Sequence, residues 1–446
     1  MSRLTARSRE LLLLVFATGL LLLMLFGLET SQGRTLSTEM LYIVGGFIGV
    51  YAIAHVAIAF LAPHADQVML PTVALLNAVG LVVIYRIDLA ERPGYGPLAE
   101  RQMLWSLVGV GLMVLTLIVV REHQALSRYS YLLGLLGLIL LALPLVWPQP
   151  EGTDARIWLW LGPFSIQPGE FSKILLLIFF AQLLAQKRAL FTVAGRRFLG
   201  LTFPRLRDLA PILMVWAIAI LIMAVSNDFG PALLLFATVL GMVYFATGRA
   251  SWLAIGLALV AIGGYAVYQV SSKIQERVAN FIDPFSDFEG VGNQPANALI
   301  SLSWGGVTGT GLGYGHPELV PVAHSDYILA AIGEELGFVG IAAVLCLFAV
   351  FTTRGFRTAM QVRDTYGKLL ASGLALTLAI QIFVVAGGVS SMLPMTGLTT
   401  PFMSAGGSSV MANYILLGLL LRISNSANRS PEYDEATQRR EVVGAR

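Results

Sequence analysis

Twelve runs of predominantly apolar residues constrain what this chain can fold into. They lie near 10–28, 41–62, 69–86, 103–120, 131–147, 170–187, 210–225, 231–247, 252–270, 327–352, 369–390 and 405–423. A helix needs about 20 such residues to cross the hydrocarbon core of a bilayer. Lipid offers no partner for backbone N–H and C=O groups, so each run must cross as a helix that pairs them internally. The reading is an all-α polytopic membrane protein with about twelve transmembrane helices. Composition agrees: 56% of residues are hydrophobic and 12% charged, against about 25% charged in soluble domains. Membrane lipid is therefore an expected partner and nucleic acid is not. The single cysteine, Cys346, lies within an apolar run and cannot form an internal disulfide; a small buried hydrophobe is its expected role.

Charge placement orients the spans. The first follows the basic stretch MSRLTARSRE and no small-x-small cleavage site follows Leu28, so it reads as a retained anchor with the N-terminus inside. Segments after even-numbered spans should then be basic. The one after span six has Lys187, Arg188, Arg196, Arg197, Arg205 and Arg207 against Asp208, and the one after span ten has Arg354, Arg357, Arg363 and Lys368 against Asp364. By contrast the segment 271–326 has Lys273 and Arg277 against Glu276, Asp283, Asp287, Glu289, Glu318 and Asp326, which assigns this large loop before span ten to the outside. The loop at 86–102 has mixed charge and decides nothing. The polar tail 425–446 lacks apolar periodicity and reads as a disordered cytoplasmic end. No internal repeat is visible, which counts against an inverted-repeat transporter.

Ionisable groups at or inside spans cost free energy unless paired or wet, so their positions carry information. Four places collect them on the outer side. In ARIWLWLGPFSIQPGEFSK, Arg156, Trp158 and Gln167 precede a helix start at Pro168 and Gly169, where Glu170 and Lys173, three residues apart, share a face and can pair. Asp228, in SNDFG, suits a helix cap at the positive end of the dipole. The loop 271–326 mixes turn formers with aromatics and amides and is long enough to be functional, with short helices expected at the interface. Its glycines have no following Lys-Ser/Thr and no preceding strand, which argues against a nucleotide loop. Finally Gly406, Gly407, Ser408 and Ser409 open the last span with small residues, suited either to anion binding by backbone N–H groups or to close helix packing. Together the four places imply an outward-facing polar cavity, with cations for phosphate and carboxylates for proton transfer.

The stretches IQPGEFSK, SNDFG, FIDPFSDFEGVGNQ, HSDYILAAIGEELG and LPMTGLTTPFMSAGGSSVMANYILLGLLLRIS, spread in order from about residue 156 to 424, resemble the SEDS family (shape, elongation, division and sporulation), whose members include RodA, FtsW and SpoVE. The wording around ILLLIFF and ANYILLGLLLRIS is most similar to the actinobacterial RodA branch. The resemblance implies a ten-helix core at 69–424, preceded by two additional helices at 1–68. It implies a peptidoglycan glycosyltransferase that polymerises lipid II at the outer face of the cytoplasmic membrane, for cell elongation or division. The growing glycan would carry undecaprenyl pyrophosphate, and a class B penicillin-binding protein would be the partner that cross-links it. By the same resemblance Asp326 is catalytic, and Glu170, Lys173, Trp158 and Gln294 match positions that line the cavity. Arg156, one place out of the family's register, together with Gln167, His324, Ser408 and Ser409, completes the expected substrate-binding set. Asp228, Glu334 and Glu335 are expected as structural polar groups. A divalent cation, Mg2+ or Mn2+, could assist departure of the pyrophosphate, with ligands unknown. The chain departs from the family pattern at Gly169, Asn293, Asn297 and Ala405.

Two other functions stay open at this point. A lipid II flippase would need polar groups along a continuous path through the inner half of the membrane as well. A non-catalytic scaffold would recruit the transpeptidase and need no acid at all.

Overall fold

In the computed structural model the backbone is described for residues 5–34, 37–90, 97–150, 155–162, 164–192, 197–198, 201–202 and 206–429, and the side chains of these except 5 and 188–212. The expected tail beyond 429, the basic side chains at 188–207 and part of the mixed loop, 91–96, lie outside the described residues.

Every one of the twelve apolar runs is a helix. In chain order they are α1 (Ser8–Ser31), α2 (Thr38–Leu61), α3 (Met69–Asp88) and α4 (Leu98–Val119), then, after the short α5 (His123–Arg128), α6 (Ser130–Val146) and α7 (Pro168–Thr192). There follow α8 (Leu206–Val225), α9 (Phe229–Thr247), α10 (Ser251–Val270), the loop helices α11 (Ser272–Ile282) and α12 (Asn293–Gly305), and α13 (Ile328–Gln361), α14 (Thr365–Val389) and α15 (Gly407–Ala427). Among the described residues ten of these are long and apolar enough to cross a membrane; α6 and the described part of α8 are shorter apolar helices. The chain is a multi-pass membrane protein. Two small antiparallel ribbons, Leu159–Leu161 with Phe164–Ile166 and Arg197–Phe198 with Leu201–Thr202, interrupt the all-α expectation.

α3, α7, α14 and α15 are buried over most of their surface and form the centre, whereas α10 is exposed almost all round. α15 packs on α4, α13 on α14, and α1 and α2 lie against α3 and α4. Connections meet at two ends. At one, Gln32 donates to the Gly313 carbonyl and Arg86 donates to that of Gly315 at 2.6 Å, so the α1–α2 turn and the end of α3 touch the loop before α13. At the other, buried Arg7 pairs with Glu10 and donates to the carbonyls of Ala62 and Ala65, and Arg422 holds those of Leu61 and Leu117. The basic N-terminus thus does structural work that charge counting could not show. Cys346 is exposed on α13, not buried: in a bundle this size an outward apolar face looks into lipid.

The expected continuous tenth span is instead broken. Gly337 has φ +67° and ψ −169°, which splits α13 into a buried stretch, 328–336, and a longer one, 338–361. The groups freed by the break are taken up by the glycine-rich loop: Thr310 and Gly311 N–H donate to the carbonyls of Glu334 and Glu335 at 2.9 and 3.0 Å, and Phe338 and Val339 N–H donate to those of Gly306 and Val307 at 3.0 and 3.1 Å. Non-helical backbone at membrane depth is tolerated where protein supplies such partners.

Candidate functional site

Asp326 stands two residues before the short first part of α13, and the segment from 390 to 406 between α14 and α15 fixes it from below. Ser404 Oγ donates to the Ser325 carbonyl at 2.6 Å, and Ala405 N–H donates to that of His324 at 2.8 Å. The carboxylate accepts the Ser325 hydroxyl at 2.9 Å and lines a cavity of about 400 Å³ together with Lys273, Glu276, Arg277, Asn293 and Gln294. α11 and the start of α12 border the cavity, and α12 packs against α13. Ser271 Oγ caps α11 by accepting Ile274 N–H at 3.4 Å, Asn280 ties it to the Val291 carbonyl at 2.9 Å, and Arg277 Nη1 donates to the Thr396 carbonyl at 3.2 Å. Burial pushes the Asp326 carboxyl above its ordinary range, and the Ser325 hydroxyl and the Arg277 charge pull it partly back. A carboxylate whose proton affinity is raised this way is a better proton acceptor than an ordinary aspartate.

A second, smaller pocket is lined in part by Gln167, Glu170, Lys173 and Asp228. The ion pair expected from spacing is there: Lys173 Nζ is 2.6 Å from Glu170 Oε2, and both are buried. Lys173 also reaches Gln381 at 3.5 Å. Asp228 occupies the N-cap position of α9 but makes no side-chain cap hydrogen bond, contrary to the capping expectation. Burial and the Glu170 charge instead push its carboxyl up to about 7, against the pull of Lys273 and Arg277.

Residues 66–429 match the family model of the FtsW, RodA and SpoVE cell cycle proteins. The chain belongs to that family. It is 48% identical over 430 residues to the protein named peptidoglycan glycosyltransferase RodA of Mycobacterium tuberculosis, covering 95% of this chain and 92% of that protein. A chain from a solved structure on the structural coordination of polymerization and crosslinking by a peptidoglycan synthase complex matches with a TM-score of 0.66 and 27% identity, over 82% of this chain and 99% of that one. The crystal structure of Thermus thermophilus rod shape determining protein RodA, 24% identical with a TM-score of 0.59, shares the fold over 82% of this chain and 98% of that one.

Of the residues singled out from the family resemblance, the fold puts Asp326 and Gln294 on one cavity and Gln167, Glu170, Lys173 and Asp228 on the other. Ser408 and Ser409 line neither. Ser408 Oγ accepts the Gln167 N–H at 2.8 Å, and Ser409 Oγ pairs with Thr399 Oγ1 at 2.8 Å, so both hydroxyls join the start of α15 to neighbouring segments. Arg156 is exposed, Trp158 is half-buried with its carbonyl accepting Gln149 Nε2 at 2.9 Å, and neither they nor His324 line the two cavities. Glu334 and Glu335 sit at the break in α13. Glu334 accepts Ser301 Oγ at 2.6 Å, while Glu335 accepts Arg86 Nε at 3.1 Å and Gly313 N–H at 2.8 Å. Of the departures from the family pattern, Asn293 lines the larger cavity and Asn297 donates to the Asn293 carbonyl at 2.8 Å. The sequence reading missed Arg277. Its signal was a cation one turn after Lys273 in a loop that is otherwise acidic, on a short helix whose apolar side points one way.

Proposed function

We infer that this chain is a peptidoglycan glycosyltransferase that polymerises lipid II, with Asp326 as the base. Membership of the family and 48% identity along nearly the whole of a RodA support the activity. The observation that carries the assignment of the base is the position of Asp326, a half-buried carboxylate on a cavity whose other charged lining groups include two cations. The acceptor hydroxyl is a poor nucleophile. A carboxylate within hydrogen-bond reach takes its proton as its oxygen bonds to the donor's anomeric carbon, and the lipid pyrophosphate leaves from the opposite face. Displacement at an α-linked donor gives a β-linked glycan with one inversion, so a single base suffices.

In this reading all twelve helices cross the membrane, both termini are cytoplasmic, and the cavity opens to the outer face. Residues 1–68 form two helices added to a core at 69–424, in keeping with a family match that begins at 66. The partner is a class B penicillin-binding protein, in keeping with the synthase complex in which a structural relative occurs. Among the described residues no group of three or more His, Cys, Asp or Glu could hold a metal ion. Mg2+ commonly takes one or two carboxylates and substrate phosphates. Glu276, also on the cavity lining, is the carboxylate left for that while Asp326 serves as base. Such an ion would neutralise charge on the pyrophosphate.

The test is polymerisation of labelled lipid II by the purified protein with its transpeptidase and a divalent cation. Wild type makes long glycan strands, and Asp326→Ala, folded to the same melting temperature, makes none; equal product from both would remove Asp326 from the mechanism.

A further inference from the structure

The face of the larger cavity opposite Asp326 carries a feature that the family resemblance did not assign. Arg277 and Asp326 do not pair directly, yet both border one small space. A side-chain carbon at Gly397 would lie 3.4 Å from Arg277 Nη2 and 3.9 Å from Asp326 Oδ2. Gly397 has φ +73°, a conformation that disfavours any other residue, so the backbone here keeps a gap open between base and cation. Among the described residues the guanidinium is held at one corner: a hydrogen bond from Nη1 to the Thr396 carbonyl at 3.2 Å engages one of its five donors. The Thr396 carbonyl belongs to the same segment that fixes Ser325, so base and cation are tied to one piece of backbone.

Resting on the glycosyltransferase reading, we propose that Arg277 is a further catalytic residue, the fixed cation that receives the pyrophosphate leaving group across the gap at Gly397. In the step, the acceptor hydroxyl gives its proton to Asp326 as its oxygen bonds to the anomeric carbon. The bond from that carbon to the pyrophosphate oxygen breaks, and the electron pair stays on the departing oxygen. The pyrophosphate gains one negative charge, so a guanidinium beside it interacts more strongly with the transition state than with the bound donor. Its planar fork suits two phosphate oxygens at once, which a lysine cannot match. Lys273, one turn earlier on α11 and also on the lining, adds a second positive charge to the same wall.

The experiment uses the full chain in nanodiscs, comparing wild type, Arg277→Gln, Arg277→Lys and Asp326→Asn for melting temperature, for lipid II polymerisation, and for binding of undecaprenyl pyrophosphate. Arg277→Gln is expected to lower kcat by about 10²-fold or more, the usual effect of removing one such donor, with a smaller change in KM. It should also weaken undecaprenyl pyrophosphate binding about tenfold, whereas Arg277→Lys recovers part of both. Asp326→Asn is expected to abolish turnover and keep the binding. Wild-type turnover and binding in Arg277→Gln overturn the proposal, and so does a loss in both arginine variants that merely follows a fall in melting temperature. Absence of polymerisation by wild type sinks the underlying function reading instead, whereas polymerisation by Asp326→Asn at the wild-type rate removes Asp326 as the base; these failures stay distinct from that of Arg277 because the binding measurement reads Arg277 without turnover.

Discussion

Burial raises the Asp326 carboxyl, and two neighbours, the Ser325 hydroxyl and the Arg277 charge, favour its ionised form. The sign of the pH dependence follows. A base works ionised, so polymerisation should rise with pH along a limb that lies above the ordinary aspartate range, about 3.9. Ser325→Ala removes a hydrogen bond to the carboxylate, so its limb should move to higher pH; a kcat profile superimposable on wild type would contradict this account. At this scale the acid was legible because its motif neighbours, His324 and Ser325, accompany it. Arg277 was not, because its role depends on the backbone of Thr396 and Gly397, more than a hundred residues away in sequence. The same holds for Asp228, which looks like a cap in sequence and points instead into the pocket with Glu170 and Lys173.

The decisive element is α13. Apart from Glu334 and Glu335 its residues from 328 to 352 are almost all apolar or small, and glycine is common inside transmembrane helices, so no proline or turn motif announces the break at Gly337. What forces it is the loop 305–315, which supplies partners on both sides of the break. The consequence is a short buried helix with Asp326 leading into it and Glu334 and Glu335 at its far end, where Arg86 of α3 and the N–H of Gly313 hold Glu335. A Cβ at Gly337 would lie 2.3 Å from Gly309 N and 2.4 Å from the Val307 carbonyl oxygen. Gly337→Ala therefore adds a steric clash with backbone to the cost of a positive φ. It should destabilise the protein by roughly 3 kcal/mol, at the upper end for a strained backbone position, and displace Asp326. A thermal melt of the purified variant that matches wild type would show that the loop yields instead.

For the whole molecule, the inferred topology assigns the two ends of the bundle to opposite sides of the membrane. Glu289 on the cavity side and Arg363 at the far side are both exposed. In a Cys346→Ser background, Glu289→Cys should react with a membrane-impermeant maleimide in spheroplasts, and Arg363→Cys only after permeabilisation. The reverse pattern would invert the topology and put the cavity on the cytoplasmic side. The sequence by itself determined the twelve helices, because lipid leaves a long apolar run no alternative to internal hydrogen bonding. It also singled out the Glu170–Lys173 pair, since a charge near a span is conspicuous by its cost, and Asp326 through its resemblance to the family motif. Only the tertiary structure decided which polar groups share a cavity, that α13 is broken, and that Ser408 and Ser409 close a joint. Each of those turns on partners brought together from distant segments, and hydrogen-bond satisfaction and close backbone approach are properties of the pair, not of either stretch of sequence.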